Sequence, residues 1–422
     1  MVKRKILIGL LLLIFFNYNF AQKASYYKSK FIDAEYYVLY EDYKEALPLY
    51  LEIFNAYPDN KNICYRIGQC YLNLPYNKIQ SIGFLEEAAK NISDNYKIGF
   101  FSEKKAPKEA LFYLGIAYRI NNNLDEAIST LNKYKSKLNT NETEAKNEAD
   151  YQIKLCNNAK ELMKNKISYT ETNLGELINT NFPEYRPAIS ANDSIIIFNT
   201  QLRFYEAVYF SKKINNKWTT PVNITPNIGS DGTMLVSSLS ADGKTLFLTQ
   251  YDWDNYNIYI SNYTTVGWVK AEKFDRKINS RFNETHACMS ADGKTIFFVS
   301  DREGGYGGKD IYYIVKDSLG NWSEAKNLGP NINTSKNEEN PFITSNNILF
   351  FSSQGHYNMG GYDIFYSKKQ ENSWSAPINI GYPLNTTDDD LFFVPLNDGK
   401  SGYYSIYKTD GFGEADIYRI DF

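Results

Sequence analysis

The chain has 422 residues, of which 46 are basic and 49 are acidic, so its formal net charge is −3. This balance argues against a nucleic-acid-binding protein, because such proteins usually carry a basic surplus. With only two histidines and four cysteines, a zinc site is nearly excluded, and we expect no metal and no cofactor. The length predicts two or three domains, and the 43% of apolar residues can fill ordinary cores.

The first 21 residues have the three regions of a secretory signal peptide. Lys3–Lys5 is basic, Ile6–Phe16 is apolar, and Ala21 supplies a small residue before the predicted cleavage point. The alternative is an uncleaved membrane anchor, although a span needs roughly 20 apolar residues. No cysteine follows the apolar stretch, so we expect no lipoprotein signal. The pattern predicts an exported protein, periplasmic or associated with the outer membrane, with no transmembrane span in its mature chain.

The four cysteines do not form an obvious disulfide framework. Cys64 and Cys70 lie six residues apart on one predicted helix, and the corresponding rise of about 9 Å exceeds the usual Cα separation of a disulfide. Cys156 and Cys288 fall in different predicted domains. We therefore expect four buried free thiols.

Residues before position 166 have helical periodicity and a repeat of about 34 residues. Small residues recur at Ala34, Gly68 and Gly115, and each is followed three positions later by a tyrosine. A small residue lets two antiparallel helices approach closely, and the aromatic ring fills the gap beside it. Asn141–Lys164 predicts one more helix with a polar face, suited to cap the end of a helical stack.

These units resemble the tetratricopeptide repeat, and the third unit is the fullest copy. The resemblance implies a groove that binds peptides or protein segments. The groove positions of the family fall here on Asn62, Tyr65, Gln69, Lys108, Phe112 and Arg119. The alternative is that the repeats only pack against the following domain.

From residue 167 the period changes to about fifty residues. NLGELINT at Asn173–Thr180 recurs as NLGPNINT at Asn327–Thr334, and three degenerate copies lie between and after them. Four tryptophans stand six residues before the apolar anchors of the last four copies: Trp218, Trp268, Trp322 and Trp374. Each unit also carries a hairpin, such as Ser240–Leu248 with its Asp-Gly turn, and a third strand. Four strands repeated in this way predict a β-propeller.

The number of blades follows from a segment upstream of the first full unit. Ile167–Thr180 carries the outer-strand motif alone, and the last unit reaches its third strand at Phe422. We predict that the upstream segment pairs with the last blade, because a closed ring leaves no open edge. The predicted fold class is therefore an α + β multidomain protein with a signal peptide at 1–21, a tetratricopeptide-like α-helical solenoid at 22–165 and a five-bladed all-β propeller at 166–422.

The fifty-residue units resemble the WD-like repeats of TolB-type propellers, whose motif combines S-x-D-G-K, D-R-x-G-G, D-I-Y and W-x-x-x-x-N-L-G. Ser290–Tyr313 with Trp322–Gly329 is the fullest copy. Together with the signal peptide and the helical repeats, they resemble a family of envelope proteins that often continue into an OmpA-like domain. One member of that family belongs to the type IX secretion and gliding machinery. The resemblance covers the first two modules, without the OmpA-like domain.

Strand order assigns the loops of the propeller to two faces. The Asp-Gly turns lie on one face, and the loops between second and third strands lie with the blade connections on the other, called here the loop face. The loop face is richer in side chains that anchor interfaces. Its candidate partner-binding residues are Tyr251, Trp253, Asp301, Arg302, Tyr306, His356 and Tyr357. Its glycines, such as Gly304 and Gly305, lack the sequence context of a phosphate-binding loop, so we interpret them as turn residues.

An acidic residue recurs near the blade connections, six residues after an apolar anchor, except in the second unit, where Met234 stands. The four acids are Glu184, Glu284, Glu338 and Asp390. We interpret them as structural latches whose carboxylates accept backbone N–H bonds. The alternative is a ring of catalytic carboxylates, because some five-bladed propellers cleave glycosides with paired acids. Asp388–Asp390 lacks the spaced oxygen ligands of a calcium site, so we expect a solvated turn there.

These observations predict an exported, non-enzymatic scaffold that mediates protein–protein interactions in the cell envelope. Its expected partners are envelope or secretion-system proteins, with peptide segments in the helical groove and no nucleic acid. The alternative function is a propeller that binds or cleaves a glycan.

Overall fold

Two units make up the chain, and they divide between Cys156 and Asn157. The computed structural model describes residues 23–371, 373–396 and 399–422. The predicted signal peptide lies outside the described residues, and the domain limits taken from the change of repeat length stay a prediction. No helix in the described ranges is long and apolar enough to cross a membrane.

Helices form the first unit. The described part of α1 covers residues 23–39. It is followed by α2 (Tyr43–Ala56), α3 (Lys61–Asn73), α4 (Gln80–Ala89), α5 (Glu109–Ile120), α6 (Leu124–Ser136) and α7 (Thr143–Leu162). The polar side chain of Asn60 starts α3 by accepting the backbone N–H groups of Asn62 and Ile63.

Glycine lets these helices pack closely. An ideal Cβ placed on Gly68 would lie 2.4 Å from Cγ of Leu85, and one on Gly115 would lie 2.6 Å from Cγ of Leu131. Real Cβ atoms do not approach other heavy atoms so closely, so each glycine sets the separation of its helix pair, α3 with α4 and α5 with α6. The small residues of the 34-residue pattern therefore mark sites of close helix approach.

A five-bladed all-β propeller fills most of the second unit, as predicted. The first strand, β1 (Thr170–Asn173), precedes the first blade. Blade one contains β2 (Glu184–Ile189), β3 (Ile195–Gln201), β4 (Glu206–Ile214), β5 (Lys217–Trp218) and β6 (Val222–Asn223). Blade two contains β7 (Leu235–Leu239), β8 (Thr245–Asp252), β9 (Asn255–Thr264), β10 (Gly267–Trp268) and β11 (Glu272–Lys273).

The remaining three blades repeat the same antiparallel order. Blade three contains β12 (Glu284–Met289), β13 (Thr295–Ser300), β14 (Asp310–Val315) and β15 (Lys326–Asn327). Blade four contains β16 (Glu338–Ile343), β17 (Ile348–Ser353), β18 (Asp363–Lys368) and β19 (Ile378–Asn379). Blade five contains β20 (Val394–Pro395), β21 (Ser401–Ile406) and β22 (Asp416–Asp421), and its sheet order is β1-β22-β21-β20.

The ring closes through β1, as the upstream motif predicts. Thr170 lies opposite Asp421 and Asn173 lies opposite Tyr418 in an antiparallel pair. The outer strand of the last blade thus comes from the segment that precedes the first blade. Closure of this kind removes an edge that would otherwise expose unpaired backbone groups.

Apolar cores fill the spaces between neighbouring blades. In one of them, Val299 of blade three packs with Leu349, Phe351 and Trp374 of blade four. Burial of such side chains is worth roughly 1.5–3 kcal/mol each. Since every blade shares a core with its neighbours, the propeller holds its loops on a rigid frame.

All four cysteines are buried and free, as predicted. Burial raises the pKa of Cys64 to about 11 and the pKa of Cys288 to about 12. The thiolate is the reactive form of cysteine. These thiols are therefore unreactive at neutral pH while the protein is folded.

Candidate functional site

A fully exposed tryptophan stands on the loop face of blade two. Trp253 lies at the tip between β8 and β9, with 98% of its surface exposed. Its φ is +65°, a backbone region that bulky residues rarely adopt and that costs of order 1–3 kcal/mol. Tyr251 and Tyr256 pair across the same hairpin, with ring centroids 5.2 Å apart at a steep angle. The hairpin therefore presents three aromatic rings outward.

Further exposed aromatic residues lie on the loop face. Tyr306 is 50% exposed and Tyr357 is 52% exposed, so both remain candidates for partner contact. The sequence interpretation missed Phe204, which is 86% exposed, and Phe282, which is half-buried. Each has an arginine from the preceding position over its ring, at 5.2 Å for Phe204 and 4.9 Å for Phe282. The signal in the sequence is the repeated Arg-Phe pair in loops that belong to this face.

Three of the predicted partner-binding residues instead hold the loops in place. Arg302 donates from Nη2 to the carbonyl oxygen of Ile278 at 2.6 Å and to Oε1 of Glu284 at 3.1 Å. Asp301 accepts from the backbone and the side-chain amide of Asn283, both at 2.7 Å. These intramolecular bonds hold the loop in place, and partner contact by Asp301 and Arg302 stays a prediction.

His356 is also engaged inside the protein. Its Nε2 lies 2.8 Å from the carbonyl oxygen of Ile332, and its ring contacts those of Phe351 and Phe365. Burial lowers the pKa of His356. The neutral ring therefore donates Nε2–H to the carbonyl group, and partner binding by His356 stays a prediction.

The four recurring acids share one bonding pattern. Each carboxylate accepts the backbone N–H and the side-chain hydroxyl of the residue four positions earlier: Thr180 for Glu184, Ser280 for Glu284, Thr334 for Glu338 and Thr386 for Asp390. The three glutamates are fully buried. This is the bonding that a latch at a blade connection requires.

Burial also changes the ionisation of the latch acids. It raises the pKa of Glu184 to about 7, against the opposing effect of the Thr180 bonds. It raises the pKa of Glu338 to about 7 in the same way, and it raises the pKa of Asp390 well above its usual value. Carboxyl groups that are enclosed and bonded to their own blade connection are poorly placed to reach a glycosidic bond.

The glycine-rich loops fold around an aspartate that begins the third strand. In blade three, Asp310 accepts the backbone N–H groups of Tyr306 and Gly307 at 2.6 and 3.1 Å. In blade four, Asp363 accepts those of Met359 and Gly360 at 3.0 and 3.1 Å. An anion supplied by the chain itself therefore occupies each loop, which leaves these N–H groups unavailable to a phosphate.

The innermost strands aim a ring of side chains at the centre of the propeller. These positions follow the recurring acid by two residues: Arg186, His286, Asn340 and Phe392. The equivalent residue of blade two, Val236, instead packs in the core between blades one and two. The strand register shifts at this point in β2, β7, β12 and β16. The φ angles of Arg186, Asn340 and Phe392 lie between +52° and +60°. The irregular backbone turns these side chains towards the channel, as β-bulges commonly do.

Four charged or titratable groups form a chain at this centre. Arg186 Nη1 lies 3.2 Å from His286 Nε2, and His286 Nδ1 lies 2.6 Å from Oε2 of Glu339. Lys309 donates to the other carboxylate oxygen of Glu339 at 2.6 Å. Phe392 lies under the guanidinium of Arg186, 4.6 Å from its carbon to the ring centroid. We call these four residues, Arg186, His286, Lys309 and Glu339, the channel cluster.

The channel cluster was missed by the sequence interpretation. Its members come from different blades, and Glu339 directly follows a latch acid, so no local motif marks it. Aligning the five units on the latch position would have placed Arg186 and His286 at one equivalent position. Nothing in the sequence says that this position faces the channel.

The predicted groove positions in the helices are largely enclosed. Four of them are less than a tenth exposed: Asn62, Tyr65, Gln69 and Arg119. Tyr96, from the segment between α4 and α5, donates its hydroxyl to Oδ1 of Asn62 at 2.6 Å. Arg119 donates from Nε to Gln152 of α7 at 3.0 Å. These side chains contact neighbouring segments, and their part in a peptide-binding groove stays a prediction.

The other two groove positions are partly exposed but have partners in the same unit. Lys108 forms an ion pair with Glu142. Phe112 packs against Tyr134, with ring centroids 5.4 Å apart. Neither residue is free to anchor a peptide.

The opposite face of the propeller has a small cavity. Its volume is about 210 Å³, and its lining includes Asp292, Lys369 and Trp374. It lies at the Asp-Gly turns between blades three and four. Within the described ranges, no group of three or more histidine, cysteine or acidic side chains could hold a metal ion.

Comparison with known proteins gives only distant likenesses. No protein-family model and no curated protein matches the sequence. A structure of TolB from Acinetobacter baumannii is 17% identical with a TM-score of 0.37, covering 58% of this chain and 56% of that one. A putative TolB from Agrobacterium tumefaciens is 16% identical with a TM-score of 0.38, covering 58% and 81%. The catalytic domain of an alpha-L-arabinofuranosidase from Coprinopsis cinerea is 10% identical with a TM-score of 0.40, covering 61% and 98%. This chain thus spans little more than half the length of the first TolB, and likenesses of this distance do not decide between binding and catalysis.

Proposed function

We propose that this protein is a non-enzymatic scaffold of the cell envelope whose propeller binds another protein through the loop face. Trp253 carries the proposal, because 98% of its surface is exposed although its backbone is held in a costly conformation. A structural role would not require an exposed indole at this tip. Tryptophan, tyrosine and arginine dominate the energetics of protein interfaces, since they bury a large area with few rotamers lost.

The surroundings of Trp253 support a binding face of more than one loop. Tyr251 and Tyr256 flank it, while Tyr306, Tyr357 and Phe204 present further exposed rings from other blades. Loops on a rigid frame keep such rings in fixed positions, which lowers the entropy lost on binding. The closed ring of blades provides that frame.

The latch acids argue against glycoside cleavage. Glu184, Glu284 and Glu338 are fully buried and bonded to their own blade connections. Paired catalytic carboxylates must reach the scissile bond from both sides. We propose that these acids stabilise the blades and that the protein performs no hydrolysis.

The location in the envelope rests on the sequence. The basic, apolar and small-residue regions of the first 21 residues support export, and the two-module resemblance supports a periplasmic or outer-membrane-associated scaffold with envelope or secretion-system partners. Exposed aromatic rings also suit the apolar faces of sugars, so glycan binding is the second candidate function.

A photo-crosslinking experiment in cells tests the proposal. A photoreactive phenylalanine analogue placed at position 253 should crosslink to a protein partner, identified by mass spectrometry. The matched control is position 266, where Val266 is 84% exposed at the tip between β9 and β10, on the opposite face of the same blade. Crosslinks that occur equally at both positions would contradict a loop-face partner. Retention of the protein on a glycan array that depends on Trp253, without a protein crosslink, would favour the second candidate.

A further inference from the structure

The channel cluster lies at the end of the central channel that opens on the loop face. Arg186 and His286 stand near the starts of β2 and β12, directly after the blade connections that belong to this face. Lys309, which bonds to Glu339, comes from the loop between β13 and β14 on the same face. The cluster therefore lies towards the face on which Trp253 is displayed.

The hydrogen bonds determine the tautomer of His286. Arginine has only donors, so Nε2 of His286 must accept from Arg186 across 3.2 Å. Nδ1 then carries the proton and donates it to Glu339 across 2.6 Å. Burial lowers the pKa of His286, so the ring is neutral at pH 7. Both ring nitrogens of His286 are thus engaged within the cluster. Because the ring is neutral, it does not compensate the positive charge of Arg186.

Arg186 has no ionic partner within the described part of the chain. None of the described carboxylates comes within 4.0 Å of its guanidinium. Its contacts are His286, the carbonyl oxygen of Val236 at a long 3.4 Å and the ring of Phe392. A guanidinium has five N–H donors, so most of those of Arg186 remain available. Burial lowers the pKa of Arg186, since removal from water disfavours its charge.

The charge of the channel cluster is also unbalanced. Burial raises the pKa of the Glu339 carboxyl, but the hydrogen bonds from His286 and Lys309 and the charge of Lys309 outweigh burial and lower that pKa, so Glu339 is ionised. The negative charge of Glu339 balances the positive charge of Lys309, so the positive charge of Arg186 remains uncompensated. A single negative charge would balance the cluster, whereas a doubly charged anion would be repelled by Glu339 beside it. At the equivalent ring position of blade four, Oδ1 of Asn340 is buried without a hydrogen-bond partner.

We propose that the channel mouth binds a carboxylate group of the protein partner that sits on the loop face, with the guanidinium of Arg186 as its anchor. This inference rests on the proposed function and specifies the chemistry of the partner as an acidic side chain or chain terminus. A guanidinium matches the two oxygens of a carboxylate in a fork geometry, and Phe392 holds it in place. The exposed aromatic rings provide contact area for the partner, and Arg186 makes binding specific for a partner that carries a carboxylate at this position.

Nuclear magnetic resonance of the two histidines tests the carboxylate site without a partner. The full chain is titrated with sodium acetate, with neutral acetamide of similar shape, and with inorganic phosphate, at constant ionic strength. Acetate should shift the imidazole signals of His286 along a saturable curve, and acetamide should not. His356 is the internal control, since it bonds to the backbone of Ile332 on another loop. The chain has no other histidine.

Substitutions then assign the effect to the anchor. Arg186→Gln should weaken acetate binding at least tenfold, as expected for loss of a charge-assisted contact. The matched control is Arg281→Gln, because Arg281 is exposed and pairs with Glu303. Trp253→Ala should leave acetate binding unchanged, so failure of the carboxylate site and failure of the aromatic binding face are distinguishable.

Several outcomes would overturn the proposal. Equal responses to acetate and acetamide, or a response of His356 of the same size as that of His286, would show that no carboxylate site exists. Tighter binding of phosphate than of acetate would show that the site selects another anion. If Arg186→Gln does not fold, Arg186→Lys decides: it keeps the charge but loses the fork, so undiminished acetate binding would contradict the proposed anchor.

Discussion

Asn173 donates its side-chain Nδ2–H to Oδ2 of Asp416 across 2.9 Å, although 243 positions separate them in the sequence. The same bond joins Asn327 to Asp310 at 2.7 Å and Asn379 to Asp363 at 2.7 Å, in both cases within a single blade. The closing strand therefore enters the last blade with the same side-chain bond that an ordinary fourth strand makes. Ring closure therefore depends on the same side-chain contact that joins the third and fourth strands within other blades.

Loss of the Asn173 bond should loosen ring closure. We expect Asn173→Ala to lower the free energy of unfolding by about 1–3 kcal/mol, because it removes one of the two donors to Oδ2 of Asp416, the other being the backbone N–H of Phe412. Hydrogen exchange of the β22 amides should quicken. Asn327→Ala is the control, since it removes the same bond from Asp310 inside blade three. Equal exchange of β22 in the two variants would show that Asn173 has no special part in closure.

Close helix approach makes Gly68 sensitive to a single methyl group. Gly68→Ala should destabilise the first unit by about 1–3 kcal/mol, the usual effect of overpacking, because the new Cβ would meet Leu85. Gly83 lies in α4 with no atom within 4 Å of an added Cβ. Gly83→Ala should therefore stabilise by about 0.5–1 kcal/mol through helix propensity. Urea unfolding followed by far-ultraviolet circular dichroism measures both, and equal effects of the two changes would contradict this packing.

The latch acids should make stability fall as pH rises. Glu338 has a pKa of about 7 in the folded protein, against about 4.3 in an unfolded chain. Between these values the folded state holds a proton that the unfolded state has lost, so the free energy of unfolding decreases from pH 4.5 to pH 7. The loss from this carboxyl is of order 1–3 kcal/mol. Glu338→Gln should remove this part of the slope between pH 4.5 and pH 7.

An exposed glutamate provides the control for that pH profile. Glu303 has a side chain that is 77% exposed, so Glu303→Gln should leave the slope as in the wild type. Unfolding by urea at a series of pH values measures all three proteins. A Glu338→Gln profile parallel to that of the wild type would show that Glu338 does not hold its proton when folded.

The buried cysteines should be silent towards thiol reagents until the protein unfolds. Burial raises the pKa values of Cys64 and Cys288 to about 11 and about 12, so little thiolate forms at pH 8. We expect no rapid reaction of the native chain with a disulfide reagent, and reaction of four thiols per chain in guanidinium chloride. Rapid modification of any thiol in the native state would contradict this burial.

Much of the fold was predictable because it repeats. The spacing of Trp218, Trp268, Trp322 and Trp374 and the isolated motif at Asn173–Thr180 predicted five blades and the closing strand, and the pairing of β1 with β22 confirms the latter. Equivalent positions of a repeat occupy the same local environment in every blade. A pattern that is weak in one copy can therefore be recognised by comparison with the other copies. Exposure of the Trp253 hairpin followed from the same strand order, since it places that hairpin on a loop.

The contacts of single charged residues were less predictable. Arg302 belongs to a loop motif. That motif gives no sign that the side chain of Arg302 reaches Glu284, which lies 18 positions earlier in the chain. Asn62 and Arg119 occupy family groove positions, yet Tyr96 and Gln152 contact them from segments whose path no periodicity describes. A side chain faces solvent or protein according to what packs over it, and a local pattern carries no information about that neighbour.

By itself the sequence determined the number of blades, the closing strand and the close helix contacts. Hydrophobic periodicity, Asp-Gly turns and glycines determine the local structure of the segments that contain them, so these features can be recognised in the sequence. Only the tertiary structure decided that Arg186 and His286, exactly one hundred positions apart, meet in the channel and that Glu339 occupies the second nitrogen of that histidine. Their contact depends on the curvature of the ring, which brings the inner strands of different blades to a common axis. The channel cluster is therefore assembled by the whole ring of blades, and no single repeat contains a sequence pattern that predicts it.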